Sequence, residues 1–256
     1  MEFCDTHIHL PAFAEAEDLR HQLTTAELLG VRRLIQAGVS PNDWPRQLAL
    51  SMENPGVYCA LGLHPQLADQ WNPALEAELR RLVNHPKVVA IGEIGLDKRV
   101  AVSVAVQEQA LRAQLRIALS AGLPVILHSV QGLATLLEIG AEEGIADVGG
   151  VVHGFSGSPE LATRVVNLGL HLGIGPVLLR ANARKLPQAL VHVPASALVL
   201  ETDAPDMAPG VANLLQVAQK LAKLRGWSLA ECARITSENA CRLFKFSEPE
   251  DIQGKG

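Results

Sequence analysis

The sequence predicts an α/β fold of the (β/α)8 TIM-barrel type, and three observations lead to that prediction. Short apolar runs recur along the 256 residues, and each ends in Gly, Pro, His or Asp. Longer segments with helical spacing separate these runs. No repeat, low-complexity tract or Pro/Gly-rich linker interrupts the alternation, so we expect a single domain over residues 1–256.

The apolar runs are the predicted strands, and there are eight of them. Eight strand–helix units typically need about 250 residues, which this chain supplies. In chain order the predicted strands cover residues 3–10, 32–39, 57–65, 88–97, 124–129, 149–157, 171–179 and 197–205.

Three of the intervening segments carry clear helix signals. Leucine recurs at every fourth position within 105–121, and 211–224 has an apolar stripe along one face. The segment 228–244 starts at Ser228 and has Glu231 three residues later, which is the pattern of a capping box. These segments therefore predict helices that alternate with the strands.

A doubly wound open sheet is the alternative fold for such an alternation. That fold normally has fewer strands and a Gly-rich turn for a dinucleotide, and neither GxGxxG nor GxxxxGK[ST] is present. We therefore expect the barrel, with the C-terminal helix at about 228–244 packed on it and a tail over 245–256.

Composition narrows the class of protein. The chain is 48% hydrophobic, and its formal net charge of -5 gives no general attraction to nucleic acid. No apolar run approaches the roughly 20 residues of a membrane span, and the first residues lack the pattern of a signal peptide. The four cysteines form no CxxC pair, which is typical of reduced thiols. We expect a cytoplasmic protein that needs neither a membrane nor an obligate protein partner.

Seven metal-binding or acid–base side chains fall at the ends of predicted strands. The C-terminal ends of barrel strands meet at one mouth, where the reacting groups of barrel enzymes lie. The histidines at 21, 85, 171 and 192 fall in helices or at the opposite rim, where solvated or hydrogen-bonded roles are expected. The seven at the mouth are His7, His9, His64, Glu93, His128, His153 and Asp203.

The chemistry of this set indicates a metal centre. Imidazole together with carboxylate suits Zn, Mn, Fe or Co, and the number of ligands suits two ions better than one. Paired ions lie about 3.5–4 Å apart, and a central carboxylate can bridge them. Glu93, from a middle strand, is the expected bridge. We expect two divalent ions per chain, with the metal left open among Zn, Mn, Mg, Fe and Ni.

The chain resembles the TatD family of metal-dependent hydrolases, a branch of the amidohydrolase-type barrels. The matching stretches, in chain order, are "DTHIHL", "GLHP", "GEIGLD", "LPVILHS", "VVHGFSG", "LETDAP" and "SENACRLF". The resemblance covers residues 4 to about 244. The combination of "VVHGFSG" with "ETDAPDM" is similar to the branch typified by the bacterial YjjV proteins.

The resemblance implies a role for each of the seven side chains. Around one ion it implies His7, His9, Glu93 and Asp203. Around the other it implies Glu93, His128 and His153. His64 would face the substrate, whereas Asp5 and Glu201 are candidates for orienting the histidines or a bound water.

The implied reaction is hydrolysis of ester bonds, most simply phosphodiester cleavage by a TatD-type deoxyribonuclease. Water activated between the two ions would attack, and Asp203 would accept its proton. The expected substrate is single-stranded DNA or a small phosphoester. Basic residues after the fourth and seventh strands are candidates for holding phosphate, although a solvated rim is the plainer interpretation. They are Lys98, Arg99, Arg180, Arg184 and Lys185, of which Arg180 and Lys185 are the preferred substrate contacts.

Two departures from the family pattern leave alternatives open. Val130 and Gln131 follow Ser129, where family members commonly have arginine, and the stretch at 213–215 reads Asn-Leu-Leu rather than Asn-Glu-Pro. Arginine binds phosphate well, so its absence weakens the prediction that the substrate is a phosphoester. The first alternative is a hydrolase of a small amide, lactone or ester with the same metals. The second is a metal-bearing binding protein without turnover, which the complete ligand set disfavours.

Overall fold

A ring of eight parallel strands forms the centre of the computed structural model, which describes residues 1–13 and 15–246. Each strand pairs in parallel with the next one along the chain. The predicted (β/α)8 barrel is confirmed. The strands are β1 (Phe3–Ile8), β2 (Val31–Ala37), β3 (Val57–Leu61), β4 (Val88–Asp97), β5 (Val125–Val130), β6 (Gly150–Val152), β7 (Leu170–Ile174) and β8 (Leu198–Leu200).

Helices connect the strands and surround the sheet. They are α1 (Ala16–Leu29), α2 (Trp44–Glu53), α3 (Pro73–Leu82), α4 (Val104–Ala121), α5 (Leu133–Glu143), α6 (Pro159–Asn167), α7 (Lys185–His192), α8 (Asn213–Arg225) and α9 (Leu229–Phe244). The capping box predicted at Ser228 is present at the start of α9. In the described part of the chain, no helix is long and apolar enough to cross a bilayer.

Short turns connect the helices to the strands that follow. Gly30 ends α1 in the left-handed region, with φ 77°, and the chain enters β2 at the next residue. A side chain at this position would place its Cβ only 2.5 Å from the backbone oxygen of Met1. Glycine is therefore required here by both the backbone angle and the close approach of the N-terminus.

The barrel closes between β1 and the residues that follow β8. The Asp203 N–H donates to the backbone oxygen of His7 at 2.8 Å, and the His9 N–H donates to that of Ala204, also at 2.8 Å. The Thr6 hydroxyl donates to the backbone oxygen of Leu200 at 3.0 Å. Closure thus places the end of β1 directly beside Asp203, although Asp203 lies 196 positions after His7 in the sequence.

The N-terminal end of the barrel is closed by α9. Ser237 donates to the backbone oxygen of Glu2 at 3.0 Å, and Asn239 donates to that of Leu198 at 2.7 Å, so α9 lies across the starts of β1 and β8. Leu243 and Phe244 join a cluster of buried side chains contributed by the strands. Those strand residues are Cys4, Ile35, Tyr58, Ala60, Val89, Ala90, Ile126, Val151 and Val199.

Six predicted strands are longer than the observed ones, and the difference is largest for the sixth and the eighth. The runs at 149–157 and 197–205 were expected to be extended throughout, but β6 ends at Val152 and β8 at Leu200. The chain turns immediately afterwards, at Gly154 with φ 57° and at Asp203 with φ 52°. His153 and Asp203 therefore follow their strands rather than end them. The predicted tail lies outside the described residues from 247 onwards, and a single domain over 1–256 stays a prediction.

Candidate metal centre

The seven predicted side chains meet at the C-terminal mouth of the barrel. Three of them lie within β1, β4 and β5, and four lie in the residues that follow β1, β3, β6 and β8. A cavity of about 210 Å³ opens between them. His7 is fully buried behind it, and the cavity is lined by His9, His64, Glu93, His128, His153 and Asp203 together with Val39, Gln66 and Asp206.

Glu93 lies at the centre of the group, and its two oxygens face different histidines. Oε2 is 3.3 Å from His7 Nε2 and 3.8 Å from His9 Nε2. Oε1 is 2.5 Å from His128 Nδ1 and 3.3 Å from His153 Nε2. The carboxylate thus separates these four imidazoles into two pairs, one at each oxygen.

Close packing of β3, β4 and β5 brings Glu93 to this position. A Cβ added to Gly92 would lie 2.7 Å from the Cβ of Ile126, and one added to Gly62 would lie 2.8 Å from the carbonyl carbon of Gly92. The Glu93 N–H donates to the backbone oxygen of Gly38 at 2.8 Å. The "GLHP" and "GEIGLD" glycines therefore allow the strands to approach closely enough for a central carboxylate.

Asp203 lies on the side of the first histidine pair. Its Oδ1 is 3.1 Å from His9 Nε2 and 3.6 Å from His7 Nε2. The two imidazole nitrogens are themselves 3.2 Å apart. Each ring nitrogen carries at most one proton, so hydrogen bonds alone cannot satisfy every such contact. A cation among these atoms would satisfy them together.

The donor atoms fit divalent ions. Four groups of three residues each have ligand atoms within 4.8 Å of one another. All of their donors are imidazole nitrogens or carboxylate oxygens, the ligand types that zinc and related transition metals take. The groups are His7–His9–Glu93, His7–His153–Asp203, His64–Glu93–His128 and His9–Asp203–Asp206.

The negative carboxylates of the centre lie close to the protonated imidazole of His153. Burial would raise the pKa of Glu93, but the charges of His153 and His7 outweigh it and hold that pKa well below its ordinary value. Burial also opposes the shift at Asp203, yet hydrogen bonding from His9 and the charge of His153 lower its pKa to about 2. Burial would lower the pKa of His153, but Glu93 and Glu201 raise it to about 10. A metal bound here must displace such protons.

His64 contrasts with His153 in the direction of its pKa shift. Burial lowers its pKa to about 4, so the imidazole is neutral at pH 7. Its Nδ1 accepts a hydrogen bond from the Gln66 N–H at 3.2 Å, and its Nε2 lies 3.9 Å from Glu93 Oε1. In this position His64 could act either as a metal ligand or as a contact to the substrate.

The two carboxylates predicted to support the centre are both buried beside it, in different ways. Asp5 accepts the backbone N–H of His7 at 3.2 Å and both the N–H and the hydroxyl of Thr202, at 3.0 and 2.6 Å. It therefore braces the backbone rather than an imidazole, and burial raises its pKa to about 7 against these hydrogen bonds. Glu201 Oε1 lies 3.3 Å from His153 Nδ1 and accepts the Gly154 N–H at 2.5 Å.

Sequence reasoning missed two acidic residues of the mouth. Asp97 ends β4, and its Oδ2 is 3.3 Å from His128 Nε2. Asp206 is exposed and groups with His9 and Asp203. Asp97 closes the quoted "GEIGLD" stretch four residues after Glu93, and alternation in a strand places the two on one face. That periodicity was the available signal.

The basic residues predicted to hold phosphate lie exposed on the loops beyond the cavity. Arg180 Nη2 is 3.7 Å from the sulfur of Met207, and Lys185 begins α7. Among the described residues, neither has a carboxylate at ion-pair distance, and neither lines the 210 Å³ cavity. Their role in binding substrate stays a prediction.

A (β/α)8 barrel whose mouth gathers histidines around a central carboxylate defines the class of protein as a metal-dependent hydrolase. The particular family follows from comparison with known proteins. The family model described as TatD related DNase matches residues 4–245. The chain belongs to the TatD family, as its motifs predict.

Three relatives illustrate the range of this family. The chain is 38% identical over 217 residues to the metal-dependent hydrolase YjjV of Escherichia coli (strain K12), covering 80% of each protein. It is 33% identical over 252 residues to the metal-dependent hydrolase YabD of Bacillus subtilis (strain 168), covering 95% of this chain and 99% of YabD. It is 34% identical over 241 residues to the 3'-5' ssDNA/RNA exonuclease TatD of Cronobacter sakazakii, covering 89% and 92%.

The fold comparison agrees with the sequence comparison. The crystal structure of Escherichia coli YjjV matches with a TM-score of 0.88 at 32% identity, covering 96% of this chain and 98% of that one. The predicted resemblance to the YjjV proteins is confirmed.

Proposed function

We propose that this hydrolase holds two divalent ions at the mouth and cleaves phosphodiester bonds, in single-stranded DNA or in a small phosphoester. The observation that supports the proposal most strongly is the position of Glu93, whose Oε2 faces His7 and His9 while its Oε1 faces His128 and His153. A carboxylate with one oxygen toward each of two imidazole pairs has the geometry of a bridge between two ions.

The proposed ligands fall into two sets that share the bridge. The first set is His7, His9, Glu93 and Asp203. The second set is Glu93, His128 and His153.

Other residues of the chain have separate proposed roles in the reaction. Bound divalent ions supply Lewis acidity, which stabilises charge on the phosphoryl oxygen and makes water more acidic. Asp203, at the cavity wall, accepts the proton of the attacking water. His64 is neutral and directs Nε2 at the substrate. Arg180 and Lys185 contact phosphates farther along the bound DNA.

The relatives support a nucleic-acid substrate. A protein 34% identical to this chain carries the name 3'-5' ssDNA/RNA exonuclease. The net charge of -5 gives no general attraction to DNA, so binding would depend on the local basic rim. We also infer a cytoplasmic location, which the buried thiols of Cys4, Cys59 and Cys232 support.

One observation favours a second candidate function, the hydrolysis of a small uncharged ester, lactone or amide. A cavity of about 350 Å³ adjoins His153 and lies where β5 leads into α5 and β6 leads into α6, with Ser129 and Phe155 in its lining. No Lys, Arg, Asp or Glu belongs to its lining among the residues described. An uncharged group would fit there without an unpaired charge.

The deciding experiment combines metal analysis with a substrate comparison on the purified protein. Elemental analysis is expected to find two divalent ions per chain. With Mg²⁺, Mn²⁺ or Zn²⁺ added, an end-labelled single-stranded oligonucleotide should shorten, and EDTA should stop the reaction. An oligonucleotide that stays intact while p-nitrophenyl acetate is hydrolysed would favour the second candidate. Two bound ions with no turnover of any phosphoester, ester, lactone or amide would indicate a binding protein.

A further inference from the structure

Asp97 is a buried carboxylate at the mouth that none of the proposed roles uses. It is 7% exposed. Among the described residues its nearest cationic side chain is that of Arg99, whose Nε is 3.9 Å from Oδ1 and which is itself 67% exposed. A buried carboxylate is costly unless hydrogen bonds or an opposite charge hold it, so its contacts should explain its presence.

Both carboxylate oxygens of Asp97 have a defined contact. Oδ1 accepts the backbone N–H of Arg99 at 2.8 Å. Oδ2 is 3.3 Å from Nε2 of His128, while Nδ1 of the same ring is 2.5 Å from Glu93 Oε1. The imidazole of His128 is therefore held between two carboxylates of one strand, with one ring nitrogen directed at each.

Gly95 makes this arrangement possible. In the β4–β5 pairing Gly95 lies opposite His128, midway between Glu93 and Asp97. A Cβ at Gly95 would lie 1.9 Å from the backbone oxygen of His128, and its φ of 152° also favours glycine. No side chain intervenes on this face of β4, so the ring of His128 reaches both carboxylates.

Gln107 of α4 fixes the backbone of Asp97. Its Oε1 accepts the Asp97 N–H at 2.8 Å, and its Nε2 donates to the backbone oxygens of Asp97 at 2.9 Å and Val102 at 2.8 Å. Gln107 is 1% exposed. A buried amide that makes three hydrogen bonds to this turn holds the carboxylate in one place.

The same arrangement occurs at the neighbouring histidine. His153 has Nε2 3.3 Å from Glu93 Oε1 and Nδ1 3.3 Å from Glu201 Oε1. His128 and His153, the two proposed ligands on this side of Glu93, thus each have one nitrogen toward the bridge and the other toward a second buried carboxylate.

We propose that Asp97 is a positioning residue that accepts a hydrogen bond from Nε2–H of His128 and thereby presents the Nδ1 lone pair to the ion on that side of Glu93. This inference rests on the two-ion site proposed above. Carboxylates in this position fix the tautomer and orientation of a ligating imidazole, and their loss typically lowers metal affinity about 10- to 100-fold. Asp97 acts through His128 and does not contact substrate.

The test is a titration of the metal-free protein with Zn²⁺ or Co²⁺, followed by calorimetry or by the Co²⁺ absorption spectrum. Asp97→Ala should weaken one of the two ions about 10- to 100-fold and leave the other unchanged. Asp97→Asn should restore most of the lost affinity, because the amide oxygen still accepts the Nε2–H bond. Asp147→Ala, at an exposed aspartate in the turn after α5, is the matched control and should bind both ions normally.

The outcomes separate this inference from the proposed function. A wild type that binds fewer than two ions contradicts the two-ion site directly and this proposal with it. Two normal affinities in Asp97→Ala would overturn only the positioning role. Equal weakening of both ions, with a lower melting temperature of the metal-free protein, would show a structural role instead. If Asp97→Ala does not fold, Asp97→Ser, too short to reach His128, is expected to weaken the same single ion.

Discussion

The two ends of the barrel bury opposite kinds of side chain. At the C-terminal mouth, Glu93 and Asp203 are 3% and 7% exposed and lie near His153, whose pKa is raised to about 10. At the N-terminal end, Phe244 of α9 is 2% exposed and packs with aliphatic side chains of the strands. Burying charge costs free energy unless opposite charge or a metal compensates, whereas burying a phenylalanine stabilises the fold. The N-terminal end of the barrel therefore contributes mainly to the stability of the fold, and the C-terminal mouth holds the residues proposed for catalysis.

The largest expected effect comes from a substitution at the N-terminal end of the barrel. Phe244→Ala removes a buried aromatic ring and leaves a cavity, which should lower the free energy of unfolding by about 3–5 kcal/mol. Urea unfolding followed by circular dichroism measures the change. Leu28→Ala, at a side chain that is 82% exposed, should change it by less than about 0.5 kcal/mol. Metal affinity of folded Phe244→Ala should equal that of wild type, and a loss would contradict the separation of the two ends.

The next largest effect is expected from a substitution at the C-terminal mouth. Glu93→Ala removes the proposed bridge and should lower kcat/KM by about two orders of magnitude or more, as loss of a catalytic metal does. Steady-state cleavage of a labelled oligonucleotide gives the rate, with Glu17→Ala, at an exposed glutamate of α1, as the control. Unchanged rates in Glu93→Ala would refute the bridge.

A smaller effect compares equivalent helix caps at the two ends. Ser228 caps α9 within a complete capping box, and Ser228→Ala should cost about 1 kcal/mol of unfolding free energy. Ser158 caps α6 near the mouth through a bond of 3.4 Å from the Leu161 N–H, and leucine at this third helical position cannot complete a capping box. Ser158→Ala should therefore cost less. Thermal unfolding of the two variants checks this order, and an equal or reversed order would contradict it.

The smallest effect concerns the basic rim. Because exposed cations contribute modestly and are screened by salt, removing Arg180 and Lys185 together should raise KM for single-stranded DNA only a few-fold at low salt. Activity on a small phosphoester should not change. KM measured at two salt concentrations tests this, and a KM that is independent of both charge and salt would remove these residues from the substrate path.

The sequence predicted which side chains meet at the mouth better than it predicted the contacts between them. A histidine or carboxylate at the end of a strand can be recognised from the alternation of strands and helices, because all parallel strands of a barrel end at one mouth. His64 and His153 were found in that way, although the chain already turns out of the strand before each of them. The family and the barrel follow from the same motifs and are confirmed.

Asp97 shows where that reasoning stopped. Its position on β4 could be predicted from the sequence. Its contact with His128, however, depends on how β4 and β5 pair, and that pairing shifts register between Ile91 and Ile94. A single sequence does not encode such a shift as a local pattern. The contact therefore became visible only when both strands were placed.

The amino-acid sequence by itself determined the order of the strands and helices, the end of the barrel at which each reactive side chain emerges, and the family. Those properties depend on local periodicity and on short motifs. Only the tertiary structure decided that Asp203 lies beside His7 and that the two oxygens of Glu93 face separate histidines. These distances arise from ring closure and from close strand packing, which are properties of the whole barrel rather than of any one segment.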